Sequence, residues 1–462
     1  MRGIINLSRF FLGVLLFLVV QCSIAQEVPR LPNVVLIVSD DQGYQDLGCF
    51  GGQEIQTPHL DRLASQGVRC TNFYVSWPAC TPSRGSIMTG RYPQRNGLYD
   101  MIRNDMVNYK YQYDEVTYAL SPEMTLGMDL REVLISQPLQ KAGYRCGVFG
   151  KWDGGRAKRF LPLQRGFHDF YGFSNTGVDY WTHERYGVPS MFRGNEPIKE
   201  PGYTTDLFKR EALRFVRENH KRPFFLYLPF NAPHSASNFT HRGVQAPENY
   251  LQKYATSQAN EKRIAHMACV TCMDDAIGEM VKLIDDLKLT DNTLFIFHSD
   301  NGGSTVADNG PLRGHKAQMW EGGLRVPFIA QWKGKIPAGT TRDDFLTTLE
   351  IFPTLCALAN TSPPKDVILD GFNMLPILQG KASSSRKEMF WQRRNDKAAR
   401  VGQYKWVDAE QGKGVFDLSQ DQGEQHDLSS TRPELLAELR TRFDAWRKTM
   451  DESEPRGPFR NY

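Results

Sequence analysis

Residues 33–41 read Asn-Val-Val-Leu-Ile-Val-Ser-Asp-Asp, an apolar, largely β-branched run that ends in two carboxylates. A strand with no polar alternation is buried on both faces, the mark of a mostly parallel sheet covered by helices. Three later stretches repeat the pattern. Tyr144–Phe149 runs into Gly150-Lys151-Trp152-Asp153, Phe224–Leu228 runs towards Asn231-Ala232-Pro233-His234, and Thr293–Phe297 runs into Ser299-Asp300-Asn301. Open α/β sheets bind ligands at the carboxyl ends of their strands, so four polar clusters far apart in sequence are expected to meet at one edge. The fold class is therefore α/β, a large mostly parallel sheet sandwiched by helices.

Between these runs, Thr57-Pro58 gives an N-cap and a proline at the first helical position, opening a helix through Leu60, Leu63 and Ala64 to Gly67. His59 in its first turn is expected to be exposed. Cys269 and Cys272 form a Cys-x-x-Cys within a helical pattern, with no second pair at zinc spacing, and are read as packed helix residues. After Ser383-Ser384-Ser385 the character changes. Short strands are expected around Met389–Gln392, Ala399–Val401, Tyr404–Val407 and Val415–Leu418, then a helix from near Pro433 with Leu435, Leu436, Leu439, Phe443 and Trp446 at helical spacing. This predicts a small C-terminal antiparallel sheet plus helix over 383–462, appended to a catalytic domain over 26–382.

The net charge of +4 on 462 residues is spread thinly, without the clustered Lys and Arg that nucleic-acid binding requires; it suits an anionic substrate. Arg2 and Arg9 precede an apolar stretch, Phe10–Val20, followed by Ser23-Ile24-Ala25, which reads as a signal peptide over residues 1–25. That stretch is well short of the ~20 residues needed to span a bilayer, and bulky Gln21 before Cys22 departs from the lipoprotein pattern. The expectation is a periplasmic or secreted protein with no membrane span. Eight cysteines are too few for a disulfide scaffold at this length.

The most specific segment is Cys80-Thr81-Pro82-Ser83-Arg84, with Gly85 and Gly90 close behind. Here the chain resembles the type I sulfatases of the alkaline-phosphatase superfamily, whose motif is C-x-P-S-R, and the resemblance extends from Asn33 to the final helix. It implies that Cys80 is converted to formylglycine by a formylglycine-generating enzyme acting on the unfolded chain. It also implies that Asp40, Asp41, Asp300 and Asn301 hold one Ca²⁺ beside residue 80. Hard oxygen donors of this kind suit calcium or magnesium rather than zinc. By the same resemblance Arg84, Lys151 and Lys316 bind the sulfate group, and His234 or Lys316 protonates the departing alcohol. His298 and His315 adjoin motif residues without matching catalytic positions.

The implied route is covalent. The hydrated aldehyde attacks sulfur in line with the leaving oxygen, and its second hydroxyl then expels sulfate. One departure stands out: where the family reads G-K-W-H, this chain has Gly150-Lys151-Trp152-Asp153. Asp153 is expected either to keep the histidine's role as base or to contact substrate, with a pKa depressed by Ca²⁺, Arg84 and Lys151.

Substrate choice is expected outside the shared motifs. Met101–Asp129 carries Tyr109, Tyr111, Tyr113 and Tyr118, and Asn175–Tyr186 carries Tyr180, Trp181, His183 and Arg185. Such residues suit stacking on sugars and pairing with further anionic groups, which points to a sulfated carbohydrate. The alternatives are a phosphonate monoester or phosphodiester hydrolase of the same superfamily, and a non-catalytic protein that binds a sulfated glycan.

Overall fold

In the computed structural model, residues 30–102, 116 and 120–458 are described. The expected signal peptide and Tyr109, Tyr111, Tyr113 and Tyr118 lie outside them.

The decisive run forms the strand Asn33–Ser39, buried along its whole length. Its residues alternate between two separate apolar cores. Val34, Leu36 and Val38 pack into one, while Val35 and Ile37 pack into the other. That division is why the run shows no polar alternation: both faces of the sheet are covered. Helices Thr204–Asn219 and Glu261–Asp286 close the second face through Phe208, Phe215, Met273 and Ile277. Helix Cys80–Thr89 packs into the first core through Ile87 and Met88.

The other three predicted runs are the strands Arg145–Lys151, Phe224–Pro229 and Thr293–Ser299. With Asn33–Ser39 they stand side by side and parallel, in the order Thr293–Ser299, Asn33–Ser39, Phe224–Pro229, Arg145–Lys151. Asp169–Phe173 continues the parallel set. Arg325–Gln331 and Val68–Tyr74 extend the other edge antiparallel. Parallel neighbours point their carboxyl ends the same way, so the polar clusters after the four strands share one edge.

Helix Pro58–Ser65 forms as expected, but its cap does not come from Thr57. Thr57 Oγ1 accepts from the Gly48 amide, and Asp274 of the long helix takes the amides of His59 and Leu60 at 3.0 and 2.8 Å. His59 is half-buried rather than exposed, because that neighbouring helix lies over it. Cys269 and Cys272 are buried free thiols within the same helix.

Towards the C-terminus, Glu388–Arg393, Asp396–Val401, Tyr404–Ala409 and Gly412–Asp417 form a four-stranded antiparallel sheet. Helix Pro433–Asp451 lies against it, with Trp446 stacked on Phe390 and Phe443 edge-on to Trp406. Met389, Trp391 and Ala398 of this sheet belong to the same apolar core as Val34 and Val38. Among the described residues no helix is long and apolar enough to cross a membrane.

Candidate active site

Cys80 is the first residue of a fully buried ten-residue helix. Its Sγ lies 3.4 Å from Asp40 Oδ1 and 3.3 Å from Lys316 Nζ. A helix N-terminus favours negative charge at that point. The helix stops at Gly90, which has φ +66° and would place a Cβ 2.8 Å from the Phe352 Cβ, so the end is fixed by a residue that only glycine satisfies.

The strand ends deliver the rest. Asp40 and Asp41 follow Ser39 directly, and Asp300 follows Ser299 on the neighbouring strand, its amide bonded to the Ser39 carbonyl at 3.0 Å. Arg84, one helical turn after Cys80, pairs with Asp300 Oδ2 at 2.8 Å and Asp40 Oδ2 at 3.4 Å. Lys151 reaches Asp40 Oδ2 at 2.7 Å from the last position of its own strand, rather than from the loop after it. Lys316 arrives on a loop tied to both sides: its amide bonds the Gly303 carbonyl, and the next amide bonds Pro78. Its Nζ lies 2.6 Å from Asp41 Oδ1. His234 Nε2 is 3.8 Å from Asp41 Oδ2. Asn301 joins by donating from Nδ2 to Asp41 Oδ1 at 2.9 Å and Asp153 through Lys151 at 3.7 Å, so all ten predicted residues are linked by contacts within 4 Å.

Asp153 sits behind Cys80. Its Oδ1 accepts from Thr81 Oγ1 at 2.8 Å and its Oδ2 faces Lys151 Nζ at 3.7 Å. Burial raises its carboxyl above the ordinary range, outweighing Lys151 and Arg84. Burial would also raise Asp40, but Lys151, His234, Arg84 and Lys316 together hold it well down. Asp300 moves the other way, pushed up by burial and by the Asp40 charge. Burial lowers His234 to about 4. Its Nδ1 meets the Ser235 carbonyl at 2.6 Å, so the proton resides on Nδ1 and Nε2 presents a lone pair.

Four carboxylates therefore face three permanent cations in a buried site, a deficit that a divalent ion would offset. The donors fit such an ion: Asn301 Oδ1 is buried without a hydrogen-bond partner, and Asp40, Asp41, Cys80 and His234 each bring a ligand atom within 4.8 Å of the others.

The site opens into a cavity of about 320 Å³ lined by His234, Lys316, Arg185 and Trp77. A larger one of about 1180 Å³, lined by Leu63, Phe295 and Gln331, lies towards the amino-terminal ends of the parallel strands and shares none of these groups. The smaller cavity is the active-site mouth.

The family model described as sulfatase matches residues 32–361. The chain belongs to the sulfatase family. A second model, for the C-terminal part of N-sulphoglucosamine sulphohydrolase, matches residues 314–448 of this sulfatase. Human N-acetylgalactosamine-6-sulfatase is 34% identical, covering 82% of this chain and 72% of the relative. Human arylsulfatase A is 31% identical over 89% and 87%. The solved structure of Ps i-CgsB in complex with k-i-k-neocarrahexaose superposes with a TM-score of 0.80 at 30% identity, covering 90% and 93%. The fold is shared more widely, with a phosphonate monoester hydrolase of Agrobacterium radiobacter at TM-score 0.61 and 18% identity. The sulfatase is thus a sulfuric ester hydrolase on an alkaline-phosphatase-like fold.

Two of the described residues read as a sugar platform, Tyr180 and His183, play another part. Tyr180 is fully buried and donates to the His234 and Asn231 carbonyls, which fixes the His234 loop instead of offering a stacking face. His183 is buried against the Gly202 carbonyl, whereas Trp181 packs one side on Tyr203 and keeps 47% of its surface exposed. Of that stretch, Thr176, Arg185 and Tyr186 reach the mouth. The sequence reading missed Gly177. A Cβ there would lie 2.7 Å from Ser237 Oγ and 3.1 Å from the His234 ring, so glycine lets the histidine seat.

Proposed function

We propose that this sulfatase cleaves sulfate esters of a sulfated carbohydrate, with residue 80 as formylglycine and one Ca²⁺ held by Asp40, Asp41, Asp300 and Asn301. The observation that supports it most is the place of the Cys80 side chain, at a helix N-terminus between a carboxylate oxygen and an ammonium group, where four strand ends converge. The Sγ atom stands in for the oxygens of the hydrated aldehyde. Together the aldehyde hydrate and the cation would supply a nucleophilic hydroxyl at neutral pH.

The protein's own groups divide the remaining work. Arg84 and Lys151 bring fixed positive charge to the sulfate oxygens, the kind of preorganised electrostatics that carries most of a rate enhancement. Lys316 donates towards the residue 80 side chain at 3.3 Å from the cavity wall, where His234 offers its Nε2 lone pair, so Lys316 protonates the leaving oxygen. Asp153, held by Thr81, takes the proton-accepting role that the family gives to histidine. The apolar N-terminal stretch supports secretion, and Cys80-Thr81-Pro82-Ser83-Arg84 supports modification by the formylglycine-generating enzyme.

The test is the mass of the peptide containing residue 80, together with hydrolysis of matched sulfate and phosphate esters. An aldehyde at position 80 and preference for sulfated saccharides are expected. An unmodified thiol in a fully active preparation, or preferential cleavage of phosphate diesters, would sink the reading.

A further inference from the structure

The walls of the active-site mouth carry more cations than carboxylates. Arg185, Arg242, Lys316 and Arg393 line it with one carboxylate, Asp100, which pairs with Arg394 at 3.2 Å; Arg185, Lys316 and Arg393 have carboxylate partners outside this lining in Glu123, Asp41 and Asp396. Two of these arginines are held in place. Arg185 is buried, with its Nε 2.7 Å from the buried Glu123 and its Nη1 donating to Ser237 Oγ at 3.1 Å, on the His234 flank. Arg393 comes from the C-terminal sheet. It pairs across strands with Asp396 where the first hairpin turns, and its Nη1 donates to the Ala317 carbonyl at 3.3 Å, one residue from Lys316.

Arg393 also stands where cavities meet. Beyond the mouth lies a second cavity of about 640 Å³, bounded by Asp408, Glu410 and Lys413, and the two share Lys316, Ala317 and Arg393. In the outer cavity Lys413 closes on Asp408 at 2.7 Å, and at the junction Arg393 Nη1 lies 3.8 Å from Asp396 Oδ2, the longer of the two pairs. The mouth alone is at the lower end of the ~300–1,000 Å³ typical of ligand sites. The two together accommodate more than one sugar.

We infer that Arg393 is a specificity-determining residue that binds a second anionic group, sulfate or carboxylate, on a saccharide chain running from the catalytic mouth past the C-terminal hairpin. The inference rests on the carbohydrate reading of the site. It makes the substrate a polyanionic oligosaccharide or polymer, with the hairpin of the small sheet as one wall of its groove. A guanidinium reads planar oxyanions through paired, charge-assisted hydrogen bonds, and its contribution weakens with salt.

The experiment is calorimetric titration of the Cys80→Ser protein, which cannot turn over, in the presence of Ca²⁺. The probes are a monosulfated disaccharide, its disulfated counterpart and a monosulfated disaccharide carrying a uronate. The dianionic probes are expected to bind about tenfold or more tightly than the monosulfated one, and Arg393→Gln in the same background to remove that preference while leaving the monosulfated probe unchanged. Comparison of the two dianionic probes tells sulfate from carboxylate. Absence of any preference in the parent, or a preference that survives Arg393→Gln, overturns the inference. Tight binding with no sulfate release by the wild-type enzyme would count against the carbohydrate reading and not against Arg393.

Discussion

Around Lys405, charges are closed on one another; around Asp40 they are left open on one side. The Lys405 ammonium is fully buried between Glu321 Oε1 at 2.9 Å and Glu424 Oε1 at 2.8 Å. The remaining oxygens are taken as well, Glu321 Oε2 by the Tyr74 hydroxyl and Glu424 Oε2 by the Glu321 amide. Arg400 completes the set by donating to the Tyr74 hydroxyl. This cluster joins the four-stranded sheet to the main one and has no face on the mouth. The Asp40 cluster is equally deep, yet it has an excess of carboxylate, an unpartnered Asn301 oxygen and two groups, Lys316 and His234, on a cavity wall. Buried ion pairs contribute little net stability when complete and cost much when broken. A complete cluster therefore serves architecture, and an incomplete one is poised for ligands.

Mutation should separate the two. Lys405→Met leaves Glu321 and Glu424 buried without their shared cation, and a stability loss of about 3–5 kcal/mol is expected. Thermal unfolding would register it as a drop of several degrees, with turnover per folded molecule kept; a loss of turnover without a drop would break the comparison. In the open cluster the effect should appear in rate. Lys316→Ala is expected to lower kcat for sulfate release by about 10²–10³-fold, with a smaller drop in unfolding temperature than Lys405→Met because the side chain is partly exposed at the mouth.

Asp153→Asn should reduce turnover by about 10²-fold or more, and unchanged turnover would remove Asp153 from the chemistry. Ca²⁺ should raise the unfolding temperature, by about 2.7 kcal/mol of stability at a hundredfold excess over Kd, and Asn301→Ala should blunt that response. Equal responses in both proteins would place the ion elsewhere.

The smallest expected effect is a pH slope. Burial and the Glu321 charge push Glu424 above the ordinary Glu value, with Lys405 opposing. Over the window between that ordinary value and neutrality the native state binds more protons than the unfolded one, so stability falls as pH rises. Glu424→Gln should flatten the slope in unfolding temperature measured between pH 5 and pH 7.5.

Much of this was readable in the sequence because the same physics wrote both. The four strands announced themselves by lacking alternation, since each is covered on two faces, and their polar ends share an edge because they pair in parallel. Cys80, Arg84 and the Asp-Asp and Asp-Asn pairs were legible as short-range motifs. What stayed hidden depends on long-range packing. Tyr180 looked like a sugar platform, but its hydroxyl is drawn under the His234 loop. The raised Asp153 carboxyl reflects burial, which charge counting along the chain does not register. Capping by Asp274 across more than two hundred residues, and the arrival of Arg393 beside Lys316, have no local signature at all.

The most direct test of the account is sulfate release from a sulfated oligosaccharide by wild-type and Cys80→Ala protein, with unfolding temperature measured on the same preparations. The account predicts release that vanishes in the mutant while the unfolding temperature is retained, since Cys80 belongs to none of the apolar cores. Residual release by Cys80→Ala near the wild-type rate would contradict it.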